Sequence, residues 1–157
     1  MKSLNEYITE KLKVSKKQYN YYPQTREELD DLLNQLLKER GWEADLNDID
    51  VSNITDFSEL FLESEFDGDI SMWNMTNAKY TDAMFYGSNF TGKNGDISNW
   101  DVSNIVNMRA MFKDSAFDED LSKWKLNSRC DMDYMFAGTF LEDNLPKWFN
   151  GKIKIIV

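Results

Sequence analysis

Tryptophans recur along this chain at a nearly fixed spacing, and that period constrains the fold more than any other feature of the sequence. Trp73, Trp100, Trp124 and Trp148 are 27, 24 and 24 residues apart. The three additional residues of the first interval fall at Gly92-Lys93-Asn94, a composition typical of a surface turn. A period of this size indicates a repeat protein whose units stack along one axis.

Other apolar residues keep step with the tryptophans, so every unit repeats the same pattern. In the first unit Ile49 takes the tryptophan position, 24 residues before Trp73. Three residues before this position come Leu46, Ile70, Ile97, Leu121 and Leu145, and two residues after it come Val51, Met75, Val102 and Leu126. Eleven to twelve residues after it come Leu60-Phe61, Met84-Phe85, Met111-Phe112 and Met135-Phe136, and seventeen after it Phe66, Phe90, Phe117 and Leu141. We expect these columns to form the interior. Trp100 should then pack against Trp73 and Trp124 in one continuous file of indole rings.

Within one unit the apolar spacing follows the L-x-x-L-x-L signature of a leucine-rich repeat. Ile97, Trp100 and Val102 carry that signature, Asn104 follows it, and a short helical pattern continues to Phe112. The sequence therefore predicts an α/β repeat fold, a short leucine-rich-repeat solenoid with parallel strands and short helices. Successive strands would pair about 4.8 Å apart.

The repeated run Gly-Asp-Ile-Ser-x-Trp-Asp-Val-Ser-Asn, followed by x-x-Met-x-x-Met-Phe, resembles the BspA-like leucine-rich repeats of bacterial surface proteins and their phage and prophage relatives. The resemblance covers residues 44–149. It implies a repeat fold and a role in protein interaction. The fourth unit departs from the pattern, with Arg129 where Ile54 and Ile105 stand in other units.

Four segments follow from this pattern: a mobile basic peptide over residues 1–22, a capping helix over 23–43, the solenoid of four units and a partial fifth over 44–149, and a closing strand over 150–157. Thr25-Arg26-Glu27-Glu28 forms a capping box at the start of a leucine-rich amphipathic helix, which Gly41 ends. We expect this helix to cover the first unit; a partner-binding helix is the alternative.

The first ten residues, Met-Lys-Ser-Leu-Asn-Glu-Tyr-Ile-Thr-Glu, resemble the capsid-targeting peptide of internal head proteins of large tailed phages. Such peptides bind the scaffold during head assembly and are then removed by a prohead protease. The resemblance implies Ile8, Thr9 and Glu10 as the processing site. A helix that simply docks on the rest of the chain is the alternative.

Composition argues against most chemistry. There is no histidine and Cys130 is the one cysteine, which removes imidazole triads, histidine metal sites and a disulfide framework. We expect no enzyme activity and no cofactor. No apolar run is long enough for a membrane span, and no signal peptide is recognisable, so secretion is not expected and the chain is predicted in the host cytoplasm or the virion.

Charge is unevenly distributed along the chain. The total is -10, but residues 1–22 carry +3 and the remainder -13. The strongly negative charge of the residues after residue 22 disfavours direct binding of nucleic acid.

A column of carboxylates precedes the first apolar position of each unit. Its members are Asp45, Asp69, Asp96 and Asp120, with Asn144 in the last unit. Stacked carboxylates suit Ca²⁺ or acid–base catalysis. A repeated position more simply indicates a repeated structural need, here an Asp that accepts turn amide hydrogen bonds. The column of Asn53, Asn77, Asn104 and Ser128 receives the same structural interpretation.

Residues beside the buried positions should form an outward strand face, and repeat proteins commonly bind partners there. This candidate partner-binding face comprises Asp48, Asp50, Met72, Asn74, Asn99, Asp101, Lys123, Lys125 and Lys147. It changes from acidic to basic along the stack, which suits a charge-polarised protein ligand. A solvated polar face without a partner is the alternative.

We therefore expect a non-enzymatic protein-interaction or structural module, set in a phage or prophage protein that is packaged in the head or attached to the virion. Its partner would be a protein of unknown identity, with phage head or scaffold proteins as candidates. The alternatives are a cell-surface adhesin-type protein and an acidic intracellular inhibitor of a nucleic-acid enzyme. A monomer is expected, with homodimerisation through the C-terminal edge as the other arrangement.

Overall fold

The computed structural model describes residues 1–8 and 18–154, in which repeated units stack into one column. An α-helix spans Arg26–Arg40, a 3-10 helix spans Ile97–Asn99, and residues 4–8 are helical. Over the two described ranges no residue lies in an extended strand. In the described residues, β-pairing between units consists of isolated parallel bridges, such as the series Asp56, Tyr80, Asn107 and Asp131.

The predicted fold class is therefore wrong, because the units contain neither parallel strands nor short α-helices. Each unit instead contains a run of β-turns where the helix was expected. These four turn segments are residues 56–64, 80–88, 107–115 and 131–139. The stack is real, but its joints have a different backbone geometry from those of a leucine-rich repeat.

Backbone N–H groups in a turn segment alternate between two directions. Met108 and Ala110 donate to the carbonyls of Asp131 and Asp133 in the next unit, at 2.7 and 2.9 Å. Met111, which lies between Ala110 and Phe112, instead donates back to the carbonyl of Met108 in its own unit, at 3.1 Å. Half of the donors thus link neighbouring units, whereas an α-helix would direct all of them along its own axis.

This alternation places a left-handed residue at every fourth position. One column of positive φ is Glu59, Ala83, Ala110 and Tyr134, at 57, 53, 54 and 61°. A second column is Glu63, Gly87, Asp114 and Gly138, at 52, 65, 55 and 70°. The left-handed conformation costs a residue with a Cβ about 1–2 kcal/mol. Because most of these positions are not glycine, the stack must stabilise a backbone that its sequence does not favour locally.

Aromatic rings provide the continuous interior of the column. Phe61, Phe85, Phe112 and Phe136 form one file, with centroids 5.6, 5.4 and 5.8 Å apart. Phe66, Phe90 and Phe117 form a second file at 6.1 and 5.9 Å. Rings of the two files also stack within each unit, at 4.4, 4.2 and 4.2 Å. All seven rings are buried.

The predicted tryptophan file is confirmed for three of its members. Trp124 stacks on Trp100 at 6.4 Å and on Trp148 at 6.2 Å. Trp73 instead lies against Phe57 and Phe61, at 6.1 and 6.2 Å, and within the described ranges its ring makes no stack with Trp100. The break coincides with the repeat that is three residues longer.

Each indole also forms a hydrogen bond that another apolar residue could not supply. The indole N–H groups of Trp73, Trp100, Trp124 and Trp148 donate to the carbonyls of Leu46, Ile70, Ile97 and Leu121 at 2.9, 3.2, 3.0 and 2.9 Å. Every acceptor belongs to the preceding unit. The tryptophan column therefore both fills the interior and satisfies a backbone carbonyl of the unit before it.

The Arg26–Arg40 helix covers the first unit with buried Leu29, Leu33 and Leu36. Thr25 caps its start, because the Thr25 hydroxyl accepts from the N–H of Glu28 at 3.1 Å. Gly41 ends it at φ 89°. Across the described part of the chain, no helix is long and apolar enough to cross a membrane.

The two ends of the chain meet the column differently. Tyr21, in the segment predicted as a mobile peptide, forms a parallel bridge with Ile49 of the first unit. At the other end, Lys152 accepts from the N–H of Tyr134 at 2.6 Å. Residues 150–154 contain no strand, and residues 155–157 of the predicted closing strand lie outside the described residues.

Relief of the left-handed strain should be measurable with alanine-to-glycine substitutions. Ala83→Gly and Ala110→Gly remove a Cβ at positive φ, whereas Ala116→Gly removes one where φ is not positive. All three substitutions raise the conformational entropy of the unfolded chain by a similar amount, because glycine is less restricted than alanine. We expect the first two variants to be more stable than Ala116→Gly by about 1–2 kcal/mol in urea unfolding. Equal stabilities would show that the left-handed columns carry no strain.

Candidate functional site

The predicted carboxylate column serves the turns that open each unit. Asp69, Asp96 and Asp120 accept the N–H of the serine two residues later, at 2.9, 2.9 and 2.8 Å. Asp45 accepts the N–H of Asn47 in the same way, at 2.9 Å. Bonds from Ser98 lower the pKa of Asp96. Each carboxylate thus has the backbone partner that the structural interpretation assigns it.

The predicted asparagine column links neighbouring units. The side-chain amides of Asn77 and Asn104 donate to the carbonyls of Ser52 and Thr76, both at 2.7 Å. Both acceptors lie in the unit before. Among the described residues, no group of three His, Cys, Asp or Glu side chains is placed to hold a metal ion.

At the acidic end of the predicted face, Asp48 holds the helix to the first unit. Arg40 donates to its two oxygens at 2.8 and 2.9 Å, and Asn20 donates to it at 2.9 Å. The hydrogen bonds from Arg40 are the main reason that the pKa of Asp48 falls to about 2. Asp48 is therefore engaged within the chain and presents little to a partner.

The other two acidic members of the face are also engaged in turns. Asp50 is half-buried and accepts the N–H of Ser52 at 3.0 Å. Asp101 is exposed and accepts the N–H and hydroxyl of Ser103, at 3.1 and 2.6 Å. Hydrogen bonds from Ser103 lower the pKa of Asp101. Part of the hydrogen-bond accepting capacity of both carboxylates is therefore used within the chain.

The middle of the face is exposed but also tied to the backbone. Met72 is 59 % exposed, and its N–H donates to the side chain of Asn47 at 2.8 Å. Asn74 is exposed and accepts the N–H of Thr76 at 3.1 Å.

Four of the nine predicted residues come together in one shallow groove of about 470 Å³ between the third and fourth units. Asn99 and Asp101 line one side, and Lys123 and Lys125 line the other. Neither lysine pairs with a carboxylate in the described ranges within 4.0 Å. Lys147 is exposed and lines a separate depression at the C-terminal end. We call the first of these the lysine groove.

The predicted processing site is only partly described. Ile8, one of the helical residues 4–8, is 45 % exposed. Thr9 and Glu10 lie outside the described residues.

Sequence reasoning missed a larger groove between the helix and the first turn segment, here called the cap groove. It has a volume of about 800 Å³, and Leu33, Leu37, Trp42, Leu60 and Phe61 are among its lining residues. The indole of Trp42 is 48 % exposed. The repeat pattern gives no signal of this site, because the helix and Trp42 lie outside the repeats.

Comparison with known proteins gives a family but no assigned activity. The family described as "Mycoplasma protein of unknown function, DUF285" matches residues 30–148. The match covers more than half of the chain, so the chain belongs to that family. No curated protein and no solved structure matches it.

The family match corrects the resemblance inferred from the repeated motif. The prediction of a leucine-rich repeat, which the resemblance to BspA-like proteins implied, is wrong: the chain belongs to DUF285, and its turn segments replace the strands and helices that such a repeat needs. The resemblance of the first ten residues to a capsid-targeting peptide finds no support either, since those residues lie outside the match.

The Asp48 ion pair should make stability depend on pH in a definite direction. Its folded pKa, about 2, lies below the ordinary 3.8, so its stabilisation is present above about pH 5 and is lost as the pH falls through 2. Asp48→Asn should cost at most about 2 kcal/mol at pH 7, given partial solvent screening. That difference should shrink toward zero at pH 2.

Chemical denaturation at each pH measures this difference. Asp118→Asn, at an exposed carboxylate with no ion pair in the described residues, is the matched control. A cost for Asp48→Asn that stays constant between pH 7 and 2 would contradict the ion pair as its source.

Proposed function

We propose that this DUF285 member is a non-enzymatic protein-binding module and that its lysine groove carries the binding surface. The observation that carries the proposal is the convergence of Asn99, Asp101, Lys123 and Lys125 on one groove. Beneath them, Trp100 and Trp124 are buried and stacked, so the groove rests on a rigid part of the column. A preorganised surface loses little conformational entropy on binding.

The chemistry of the groove favours a partner that presents carboxylates locally. Lys123 and Lys125 offer exposed ammonium groups with no carboxylate within 4.0 Å in the described part of the chain. The charge of Lys123 nevertheless adds to serine hydrogen bonds, which act more strongly, in lowering the pKa of Asp96 and of Asp120. The net charge of -10 repels a uniformly acidic partner. We therefore propose a partner with a short acidic segment on an otherwise charge-balanced surface.

Several features support a role without catalysis. Asp69, Asp96 and Asp120 hold turn amides, which ties their carboxylates to the scaffold. Cys130 is buried, and burial raises its pKa to about 11, so it is a poor nucleophile at neutral pH.

The acidic-inhibitor alternative is less well supported. It needs Asp48, Asp50 and Asp101 to imitate phosphates, whereas all three carboxylates bond within the chain. A phage, virion or cell-surface setting stays a prediction on which no comparison bears.

Charge reversal in the lysine groove should abolish partner binding. We expect affinity capture from the native source to retain a partner with the unaltered chain and to lose it with Lys123→Glu/Lys125→Glu. The purified partner should then bind this variant at least tenfold more weakly, about 1.4 kcal/mol. The reason is that the new glutamates repel the carboxylates that the lysines attract.

Lys79→Glu/Lys93→Glu provides the control, because it makes the same charge change at exposed lysines outside the lysine groove. It should retain the partner. Equal loss with both double variants would indicate a nonspecific charge effect, and retention by both would exclude the lysine groove.

A further inference from the structure

The stack leaves a row of backbone carbonyls unused at its N-terminal end. In the second turn segment, the carbonyls of Asp82, Met84 and Tyr86 accept from the first segment at 3.0, 2.8 and 2.7 Å. The corresponding carbonyls of the third and fourth segments are all occupied in the same way. In the first segment, the corresponding carbonyls belong to Ser58, Leu60 and Leu62. None of them accepts a hydrogen bond from the described residues.

Among the described residues no unit precedes the first turn segment, and the helix supplies a donor to only one of the carbonyls that a preceding unit would contact. Asp56 begins the first turn segment, and its carbonyl accepts from the guanidinium of Arg26 at 3.4 Å. None of the three residues that bear the unused carbonyls is fully buried: Ser58 and Leu60 are half-buried, and Leu62 is exposed. A donor row that continued the stack would therefore find three acceptors in register.

The cap groove meets this carbonyl row at Leu60, whereas Ser58 and Leu62 lie outside its lining. Leu60 and Phe61 of the first turn segment form one wall, and Leu37 and Trp42 are on the other. The carbonyl row and the adjoining groove together offer backbone acceptors and apolar surface, the combination by which an exposed sheet edge binds an added peptide.

The charged residues near the cap groove indicate the sign of the charge that a bound segment should carry. Glu59 and Glu63 are exposed on the first turn segment, and neither forms an ion pair with a described residue. Asp30 and Lys38 line the helix side, and Asp30 already pairs with Arg26 at 2.9 Å. The excess of carboxylates favours a segment that carries Lys or Arg.

A second copy of this chain does not match the row. At the C-terminal end, the N–H of Tyr134 already donates to Lys152 at 2.6 Å, and that of Gly138 donates to Glu142 at 2.9 Å. In register, these are the donors that would meet Ser58 and Leu62. Head-to-tail stacking would therefore join only the N–H of Phe136 to the carbonyl of Leu60 without breaking existing bonds.

We infer that the cap groove binds a basic, apolar peptide segment of another protein, which adds to the stack ahead of the first unit. The segment takes the alternating turn conformation of the chain's own turn segments. Every second N–H donates to Ser58, Leu60 and Leu62, and apolar side chains lie against Leu37 and Trp42. Binding at the cap groove is independent of the lysine groove.

A synthetic peptide with the sequence of residues 105–117 serves as the probe, because it contains a natural donor segment with Arg109 and Lys113. Fluorescence anisotropy of the labelled peptide should show saturable binding to the full chain below about 1 mM. N-methylation at the Ala110, Phe112 and Asp114 positions removes the three donors and should weaken binding more than tenfold. N-methylation at Val106, Ala116 and Phe117 should change it less than about twofold.

Protein variants locate the bound peptide. Trp42→Ala should weaken binding at least fivefold, whereas Phe140→Ala, at an aromatic residue 75 % exposed in the last turn region, should not. Lys123→Glu/Lys125→Glu should leave peptide binding unchanged, which separates this inference from the function proposed above. Absence of binding, insensitivity to donor methylation, or loss in the lysine variant would each overturn the inference.

Discussion

The alternating direction of backbone N–H groups in the turn segments is the constraint on which the rest of the structure depends. It requires residues such as Ala110 and Tyr134 to hold positive φ. That geometry is unfavourable by about 1–2 kcal/mol for each residue with a Cβ. It persists because the same segments carry Phe112 and Phe136, whose stacking in the interior adds about 0.5–1.5 kcal/mol per pair beyond burial. Local strain and long-range stacking are thus two parts of one arrangement.

The sequence predicts the stack better than it predicts the backbone. The period of Trp100, Trp124 and Trp148 is sufficient to infer ring stacking, because a repeated apolar position must be buried against its neighbours. The same apolar spacing is compatible with a helical turn, a strand or a run of β-turns. Glycine would have distinguished the last of these, but it stands at Gly87 and Gly138 and at no other member of the left-handed columns. The missing signal explains the wrong fold class.

For the candidate binding face, too, the sequence predicts one property and not another. Its position beside the buried tryptophans follows from the repeat, and the structure brings the exposed Lys123 and Lys125 to one groove. The availability of each side chain could not be inferred, because it depends on long-range partners. Asp48 is the clearest case: its partner Arg40 belongs to the helix, outside the repeated units. Charge patterns read from a single repeat therefore overestimate how much acidic surface a partner meets.

The direction of the indole hydrogen bonds has a consequence for the length of such proteins. Each tryptophan donates to a backbone carbonyl of the unit before it. The donor side chain belongs to the added unit, and the acceptor is a backbone group that any residue type can supply. The first unit has Ile49 at this position and joins the helix instead. The contact between two neighbouring units does not depend on how many units precede them. Duplication or deletion of a unit in the gene can consequently change the length of the column while the same contact between units is kept. Only the segments that cover the first and last units must be retained.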